Sequence, residues 1–247
     1  MRMRNGAAAS LIGLAVLWVL PVETRAMQTP GPAQQLLEQF KAAADFNRQF
    51  QLATRLVALK DPSVLQQLTG SLTHEDRHVR GNAAFVFAGL GNQRGFEVLY
   101  AILTDTSAER VKGPGIATAD GNGVISLANQ LNTDRYYAVH LLGLLKDPRA
   151  LPTLIPLLAD ERVSYKVAWA LGQIGGRAAV DALMAALSDK SSDVRVIAIQ
   201  ALESLGATEA LPRLRAMLDD NEKSHFGSLV SVADAARAAI ATLQKVP

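Results

Sequence analysis

The chain has 247 residues, of which 49% are hydrophobic and only 5% are aromatic, a balance that favours helices over sheets. Its 25 basic and 23 acidic residues almost cancel, which argues against a nucleic-acid partner, because such partners need a concentrated basic surface. The chain has no cysteine, which excludes disulfides, thiolate metal sites and a cysteine nucleophile.

The first 26 residues have the pattern of a secretory signal peptide. Arg2 and Arg4 form a positive start, residues 11–22 are an uncharged apolar run, and Thr24 and Ala26 are the small residues before a cut after Ala26. An uncleaved membrane anchor is the alternative, although such an anchor usually has about 20 apolar residues. We therefore expect a bacterial protein that is exported, to the periplasm or outside the cell, with no membrane span after cleavage.

Residues 27–33 are predicted to be a short linker, and residues 34–247 a single repeat domain. Each repeat contains two helical segments, and one leucine in the first segment marks the period. These marker leucines are Leu37, Leu68, Leu99, Leu154, Leu183 and Leu214. Their spacings are 31, 31, 55, 29 and 31 residues, so one repeat carries roughly two dozen extra residues. A period near 30 with two helices per unit is typical of an α-solenoid.

The second helix of each repeat carries an apolar stripe. Three positions, which lie 16, 12 and 9 residues before the marker leucine, are apolar in every repeat that has them, and spacings of three and four place them on one helical face. The predicted core residues are Leu52, Leu56 and Leu59, then Ala83, Phe87 and Leu90, then Ala138, Leu142 and Leu145, then Val167, Leu171 and Ile174, then Ala198, Leu202 and Leu205.

The segments VRGNAAFVFAGLG (79–91), VAWALGQIGG (167–176) and DVRVIAIQALESLG (193–206) resemble short HEAT-like repeats of the type named after phycocyanobilin lyases. The resemblance covers about residues 34–243. It implies an all-α fold, a right-handed α-solenoid of about six helical hairpins whose second helices line the concave side. It does not fix the activity, because such repeats build lyases, a hydroxylase and plain scaffolds.

The resemblance also implies a ladder of Asp/Arg pairs that joins the helix ends of adjacent units. The arginines in question lie just inside three second helices, and the aspartates lie near the ends of first helices: Arg80, Arg135 and Arg195, with Asp76, Asp105, Asp160 and Asp189. We expect these charges to serve the structure rather than a ligand.

An insertion of about residues 106–132 interrupts the third repeat. Its glycines disfavour a continuous helix, and the segment IATADGNGVISL alternates apolar and polar residues in the way that is typical of a β-hairpin. Part of it resembles an EF-hand loop with Asp120 and Asn122 as oxygen ligands. However, Thr118 and Asn129 stand where that loop needs an acid and a bidentate Glu. We therefore expect a hairpin or flap, and no metal.

Catalytic motifs are absent: there is no nucleophilic serine elbow, phosphate loop or dinucleotide fingerprint. HEAT-like repeats also build deoxyhypusine hydroxylase, in which repeated His-Glu pairs hold two irons. Here the pair occurs once, as His74-Glu75. We therefore predict no catalytic residue, no metal ligand and no cofactor, and a protein that is not an enzyme.

Aromatic and polar residues cluster at three adjoining positions of the second helices, off the core stripe. Such residues are typical of binding surfaces when they are exposed. The candidate binding residues are Phe85, Tyr136, Tyr137, His140, Tyr165, Lys166 and Trp169. Ordinary packing, including burial under the insertion, is the other interpretation of this cluster.

These residues lead to one main hypothesis and two alternatives. The main hypothesis is an exported, non-enzymatic scaffold that binds a protein or peptide on a concave, aromatic-lined face. The first alternative is a cofactor-handling or lyase-like HEAT-repeat protein that binds a planar ligand, such as a tetrapyrrole, between Trp169, Tyr165 and His140. The second is an envelope assembly factor that an uncleaved N-terminus tethers to the membrane.

Overall fold

A computed structural model describes residues 31–105, 127–225 and 229–245, with side chains from residue 132 onward in the second of these ranges. Twelve α-helices alternate along the described ranges in six pairs. The first helices of the pairs are α1 (Pro32–Ala42), α3 (Val64–Leu68), α5 (Gln93–Thr104), α7 (Leu151–Leu154), α9 (Arg177–Ala186) and α11 (Leu211–Ala216). The second helices are α2 (Phe46–Leu59), α4 (Arg77–Gly89), α6 (Leu127–Leu145), α8 (Ser164–Ile174), α10 (Ser192–Ser204) and α12 (Val232–Leu243).

The helix boundaries follow from local chemistry. Asp45 and Asn92 cap α2 and α5, since each side chain accepts a hydrogen bond from a backbone N–H of the first turn. Pro152 and Pro212 lie in the first turns of α7 and α11. Proline is tolerated there because the backbone N–H that it lacks would have no partner within the helix. Gly91, which follows α4, has a φ of 83°, a left-handed conformation that ends a helix at little cost.

The second helices form a continuous layer. Each packs on the next, α2 on α4, α4 on α6, α6 on α8, α8 on α10 and α10 on α12. The first helices pack on this layer from one side, α1 on α2, α5 on α4 and α6, and α9 on α8 and α10. The prediction of an all-α solenoid of six helical hairpins is confirmed, whereas its right-handed sense stays a prediction.

The core lies between the two helices of each pair and between successive pairs. All six marker leucines are fully buried, as are the residues 16 and 12 positions before them. The position nine residues before is different, because Leu59 is 42% exposed and Leu90 is half-buried. Leu59 is the last residue of α2, which belongs to the first unit and has a second helix on only one side. The predicted stripe is thus correct in its middle and wrong at this helix end.

The ladder of charged pairs is present, with a change of partners. Arg135 donates from Nη2 to Asp160 at 2.7 Å and from Nε to the Leu103 carbonyl at 2.7 Å. Arg195 pairs with Asp220, with 3.0 Å between Nε and Oδ2, rather than with the Asp189 carboxylate. Such partly exposed pairs each contribute about 0–1 kcal/mol, so the ladder orients the helix ends more than it stabilises them.

At the α4 position the ladder uses a different arginine. Arg77, which is buried, pairs with Asp105 and reaches Asp134 at 3.4 Å. Arg80 instead donates to the backbone carbonyls of His74 and Glu75. Asp76 caps α4 by accepting a hydrogen bond from a backbone N–H. The prediction that Arg80 takes part in the ladder is therefore wrong, because Arg77 lies closer to the next unit.

Several predicted boundaries shift or fall on other residues. α6 begins at Leu127, so the insertion ends before residue 132, where we placed its end. α1 begins at Pro32, inside the predicted linker. The predicted signal peptide, the hairpin and the calcium-type loop at Asp120 and Asn122 lie outside the described residues. Within the described ranges, no helix has the length and apolar character to span a bilayer.

Candidate functional site

Seven ring-bearing side chains form a connected row across the second helices, which we call the aromatic row. Its members are Phe46 and Phe50 on α2, His78 and Phe85 on α4, Tyr137 and His140 on α6, and Trp169 on α8. The ring centroids of successive neighbours lie 4.9 to 6.4 Å apart, the range in which aromatic rings attract one another. Three of its members, Phe85, His140 and Trp169, occupy the same position of their repeats, and the other rings come from neighbouring positions of α2, α4 and α6.

The half of the row nearest the N-terminus is held together by ring contacts and hydrogen bonds. Phe85 is 4% exposed and meets Phe50 edge to face at 5.5 Å. The Tyr137 hydroxyl donates to Asn82 Oδ1 at 2.5 Å, and Asn82 in turn donates to Gln49 Oε1 at 3.0 Å. Burial raises the pKa of the Tyr137 phenol far above its usual range, so the hydroxyl remains a donor. This half of the row is a structural network.

The half around Trp169 is accessible. Tyr136 is 38% exposed, while Lys166 and Trp169 are half-buried. The Lys166 Nζ atom lies 3.8 Å from the centroid of the Trp169 ring and 5.1 Å from that of Tyr136, which are cation–π distances. Burial lowers the pKa of the Lys166 ammonium to about 8, since the charged form is partly desolvated.

His140 joins the two halves of the row. Its ring stacks on Trp169, with 4.9 Å between centroids and 29° between planes. Burial, assisted by the charge of Lys166, lowers the pKa of the imidazole to about 4, so the ring is neutral at physiological pH. Its Nδ1 atom is buried and has no hydrogen-bond partner among the described residues. An unpaired buried polar atom is costly and calls for an explanation.

Gly143 determines where Trp169 lies. A Cβ atom at this position would stand 2.7 Å from the indole ring and 3.0 Å from the Cα atom of Ala170. The absence of a side chain therefore lets the indole rest against α6, one turn after His140. We call the group of Tyr136, His140, Lys166 and Trp169 the Trp169 site. Its geometry depends on Gly143, which lies beside the indole.

Comparison with known proteins agrees with this architecture. HEAT repeats match residues 126–188 and 159–225. Phycocyanobilin lyase subunit alpha from a Picosynechococcus strain is 37% identical over 95 residues, which are 34% of this chain and 35% of the relative. The bilin biosynthesis protein PecE from a Nostoc strain is 30% identical over 168 residues, which are 67% of this chain and 58% of the relative.

This chain is a HEAT-like repeat protein of the phycocyanobilin lyase type. Solved structures with a similar outline include an engineered protein, with a TM-score of 0.42 and 18% identity over 86% of this chain and 96% of that one. Another is the CpcE–CpcF complex of phycocyanin lyase from Nostoc, with a TM-score of 0.40 and 19% identity over 85% of this chain and 82% of that one. The HEAT-like chain spans 35% of the length of the Picosynechococcus relative and 58% of the length of the Nostoc relative.

The relatives overturn two predictions. We expected a non-enzymatic scaffold for a protein or peptide, and this expectation is wrong, because the relatives are named as a lyase subunit and a bilin biosynthesis protein. The prediction that the chain is not an enzyme is contradicted by the same names. The sequence alone favoured a scaffold because it shows no catalytic motif, but handling of a cofactor does not require one.

The structure divides the seven candidate residues into two groups. Tyr136, Lys166, Trp169 and His140 form one site, and Tyr165 lies one helical turn before Trp169 on α8. Phe85 is buried, so the expectation that it is exposed is wrong, whereas Tyr137 is half-buried and its hydroxyl is hydrogen-bonded to Asn82. Phe50 from α2 packs on both rings.

The geometry also corrects the proposed position of a planar ligand. We placed it between Trp169, Tyr165 and His140, but the stacked rings of His140 and Trp169 are in direct contact. No further ring fits between them. A planar ligand can reach only the sides of Trp169 that face Lys166, Tyr136 and α10.

Sequence reasoning missed three members of the aromatic row. Phe46 and Phe50 are four residues apart on α2, and His78 lies between Phe46 and Tyr137. The i, i+4 spacing of the two phenylalanines was the available signal, but nothing in the sequence paired α2 with α6. Among the described residues no group of three or more His, Cys, Asp or Glu side chains could hold a metal ion.

Proposed function

We propose that this HEAT-like repeat protein handles a bilin, an open-chain planar tetrapyrrole, and binds it at the Trp169 site as part of a lyase-like activity. The observation that carries the proposal is the site itself: a cation, a neutral imidazole with an unpaired nitrogen and two aromatic faces within one patch. The names of the two sequence relatives support the ligand class.

Each group of the site matches a feature of such a ligand. A tetrapyrrole offers a conjugated plane, pyrrole N–H donors and propionate carboxylates. The rings of Trp169 and Tyr136 supply apolar faces for the plane. The Lys166 ammonium can pair with a propionate, and the neutral His140 can accept a hydrogen bond.

Lys166 gives the site a way to open. In the free protein its ammonium lies over the Trp169 and Tyr136 rings. Cation–π attractions of this kind contribute about 0.5–1 kcal/mol at an accessible position. A carboxylate is a better partner for an ammonium than a ring. The flexible stem of Lys166 would follow the carboxylate and leave the indole face free for the ligand.

We also propose that the activity involves a second protein chain. The relative from Picosynechococcus is named a subunit, which supports a partner of this kind. The exposed Tyr136 ring at the border of the site is a suitable place for such a chain to approach. In this arrangement the HEAT-like chain holds the ligand and the partner supplies or receives it.

Titration of the full chain with biliverdin, a soluble linear tetrapyrrole, tests the proposal. We expect a shift of the visible absorption band and quenching of tryptophan emission. The Trp169→Ala and Tyr136→Ala variants should each weaken binding about tenfold or more, since ring contacts of this kind rank among the strongest in binding sites.

Tyr100→Ala is the matched control, because Tyr100 lies on α5, outside the aromatic row, and its hydroxyl donates to the Arg149 carbonyl. Its affinity for biliverdin should equal that of the wild type. Failure of the wild-type chain to bind biliverdin, or equal weakening by all three variants, would refute the proposal.

We further propose that the chain is exported. The positive start, the apolar run of residues 11–22 and the small residues Thr24 and Ala26 support this localisation. N-terminal sequencing of the chain isolated from its native cells should give a start at Met27. A start at Met1 would argue for retention instead.

A further inference from the structure

A cleft of about 210 Å³ opens on the α10 side of Trp169. α8 lines it with Trp169, Gly172 and Gln173, and α10 lines it with Ile197, Gln200 and Ser204. Gly172 is needed for this approach, because a Cβ atom there would stand 2.7 Å from the Cβ atom of Ala201. Trp169 is a wall of this cleft and at the same time a member of the aromatic row.

The lining of the cleft combines apolar and neutral polar groups and carries no charge. The amides of Gln173 and Gln200 make no hydrogen bond to any residue that the structure describes, so both are available to a ligand. Neither Lys166 nor His140 lines the cleft. Trp169 therefore has two different kinds of polar neighbour, the Lys166 cation over its ring and the neutral amides of Gln173 and Gln200 in the cleft.

The size of the cleft limits what it can hold. Pockets that enclose a whole drug-sized ligand have volumes of about 300–1,000 Å³. A volume of about 210 Å³ is enough for one substituted five-membered ring but not for four. The cleft is thus suited to one end of an elongated ligand, while the rest lies across Trp169.

We infer that this cleft recognises the terminal lactam ring of a linear tetrapyrrole, with Gln200 and Gln173 as the specificity-determining residues. The inference rests on the proposed function. A lactam presents an N–H donor beside a C=O acceptor, and the primary amide of glutamine presents the matching acceptor and donors. A propionate would not be selected here, because its carboxylate prefers the charged Lys166. The inner pyrrole rings would not be selected either, because they lack the carbonyl.

Two ligands and two variants separate the two sides of Trp169. The ligands are biliverdin and its dimethyl ester, which keeps both lactams but has no free carboxylate. The variants are the double substitution Gln173→Leu/Gln200→Leu and the single substitution Lys166→Met. Gln66→Leu on α3 is the control, because Gln66 is an exposed glutamine of the first-helix layer.

We expect the double glutamine variant to bind both ligands about tenfold more weakly, since two neutral hydrogen bonds are lost. Lys166→Met should weaken the binding of biliverdin but not that of the ester, and Gln66→Leu should change neither affinity. All the exchanged glutamines are at least partly exposed, so folding, which circular dichroism checks, should be retained.

Other results would overturn the inference in distinguishable ways. If wild type binds biliverdin but the glutamine variant binds it equally well, the cleft inference fails and the proposed function stands. If the effect of the glutamine variant disappears with the ester, the cleft binds a propionate and not a lactam. An ester that does not bind at all also argues against a lactam contact, because that contact should survive esterification. If wild type does not bind biliverdin, both fail together.

Discussion

Phe85 on α4 and Trp169 on α8 occupy the same position of their repeats, 14 residues before the marker leucine, yet their surroundings differ. Phe85 is 4% exposed and covered by Phe50, whereas Trp169 is half-buried and borders an open cleft. Successive units of a solenoid share a backbone but not the side chains that neighbours contribute. The repeat position thus sets the direction of a side chain, and the adjoining units set its exposure.

The largest expected effect is on stability at Phe85. Phe85→Ala should lower the free energy of unfolding by about 3–5 kcal/mol, because it leaves a cavity among Phe50 and its neighbours. Trp169→Ala should cost clearly less, since its ring is already partly in solvent. Urea denaturation followed by circular dichroism measures both values. Equal losses would mean that the two ends of the aromatic row are packed alike.

A smaller loss of stability is expected when a methyl group is added at Gly143, next to the Trp169 indole. Gly143→Ala places a methyl group 2.7 Å from the indole, and overpacking of this kind costs about 1–3 kcal/mol. The gain in helix propensity, about 1 kcal/mol, offsets only part of that cost. The displaced indole should also change its emission maximum, which fluorescence measures.

Gly70→Ala serves as the control for this substitution, because no atom lies within 4 Å of a Cβ atom at that position. It should leave tryptophan emission unchanged and should not lower the free energy of unfolding. If Gly143→Ala behaves in the same way, Trp169 has room to move and is not held by α6.

The smallest effect concerns pH and Lys166. The pKa of its ammonium is lowered to about 8 by burial, and a bound carboxylate would raise that pKa again. Binding therefore takes up a proton above pH 8, so the affinity for biliverdin should be constant below pH 8 and fall as the pH rises through about 8. The loss should be roughly two- to fivefold, the range for a partly exposed ion pair.

Titrations between pH 6 and 10 measure this dependence, and the Lys166→Met variant should show none of it. His140 should not contribute, because the pKa of its imidazole, about 4, lies below that range. A decline that persists in Lys166→Met would assign the pH dependence to another group.

The sequence predicted most residues of the candidate site, but not which of them are buried and which are accessible. The repeat alignment placed Tyr136, His140, Lys166 and Trp169 on adjoining positions, and the structure brings them into contact. Gln200 of the cleft also lies 14 residues before a marker leucine, as Trp169 does, but the sequence did not indicate a cleft there. The closed network of Tyr137, Asn82 and Gln49 joins α2, α4 and α6, and no periodicity within one helix predicts such a contact.

The sequence by itself determined the architecture, because a period near 30 that holds two helical segments is typical of stacked helical pairs. Only the tertiary structure decided which aromatic side chains are core and which are accessible. It also decided that Arg77 replaces Arg80 in the charge ladder and that Gly143 and Gly172 set the distances around Trp169. The physical reason is that helical periodicity follows from local geometry, whereas exposure depends on how closely neighbouring helices approach, which side chains from distant repeats decide.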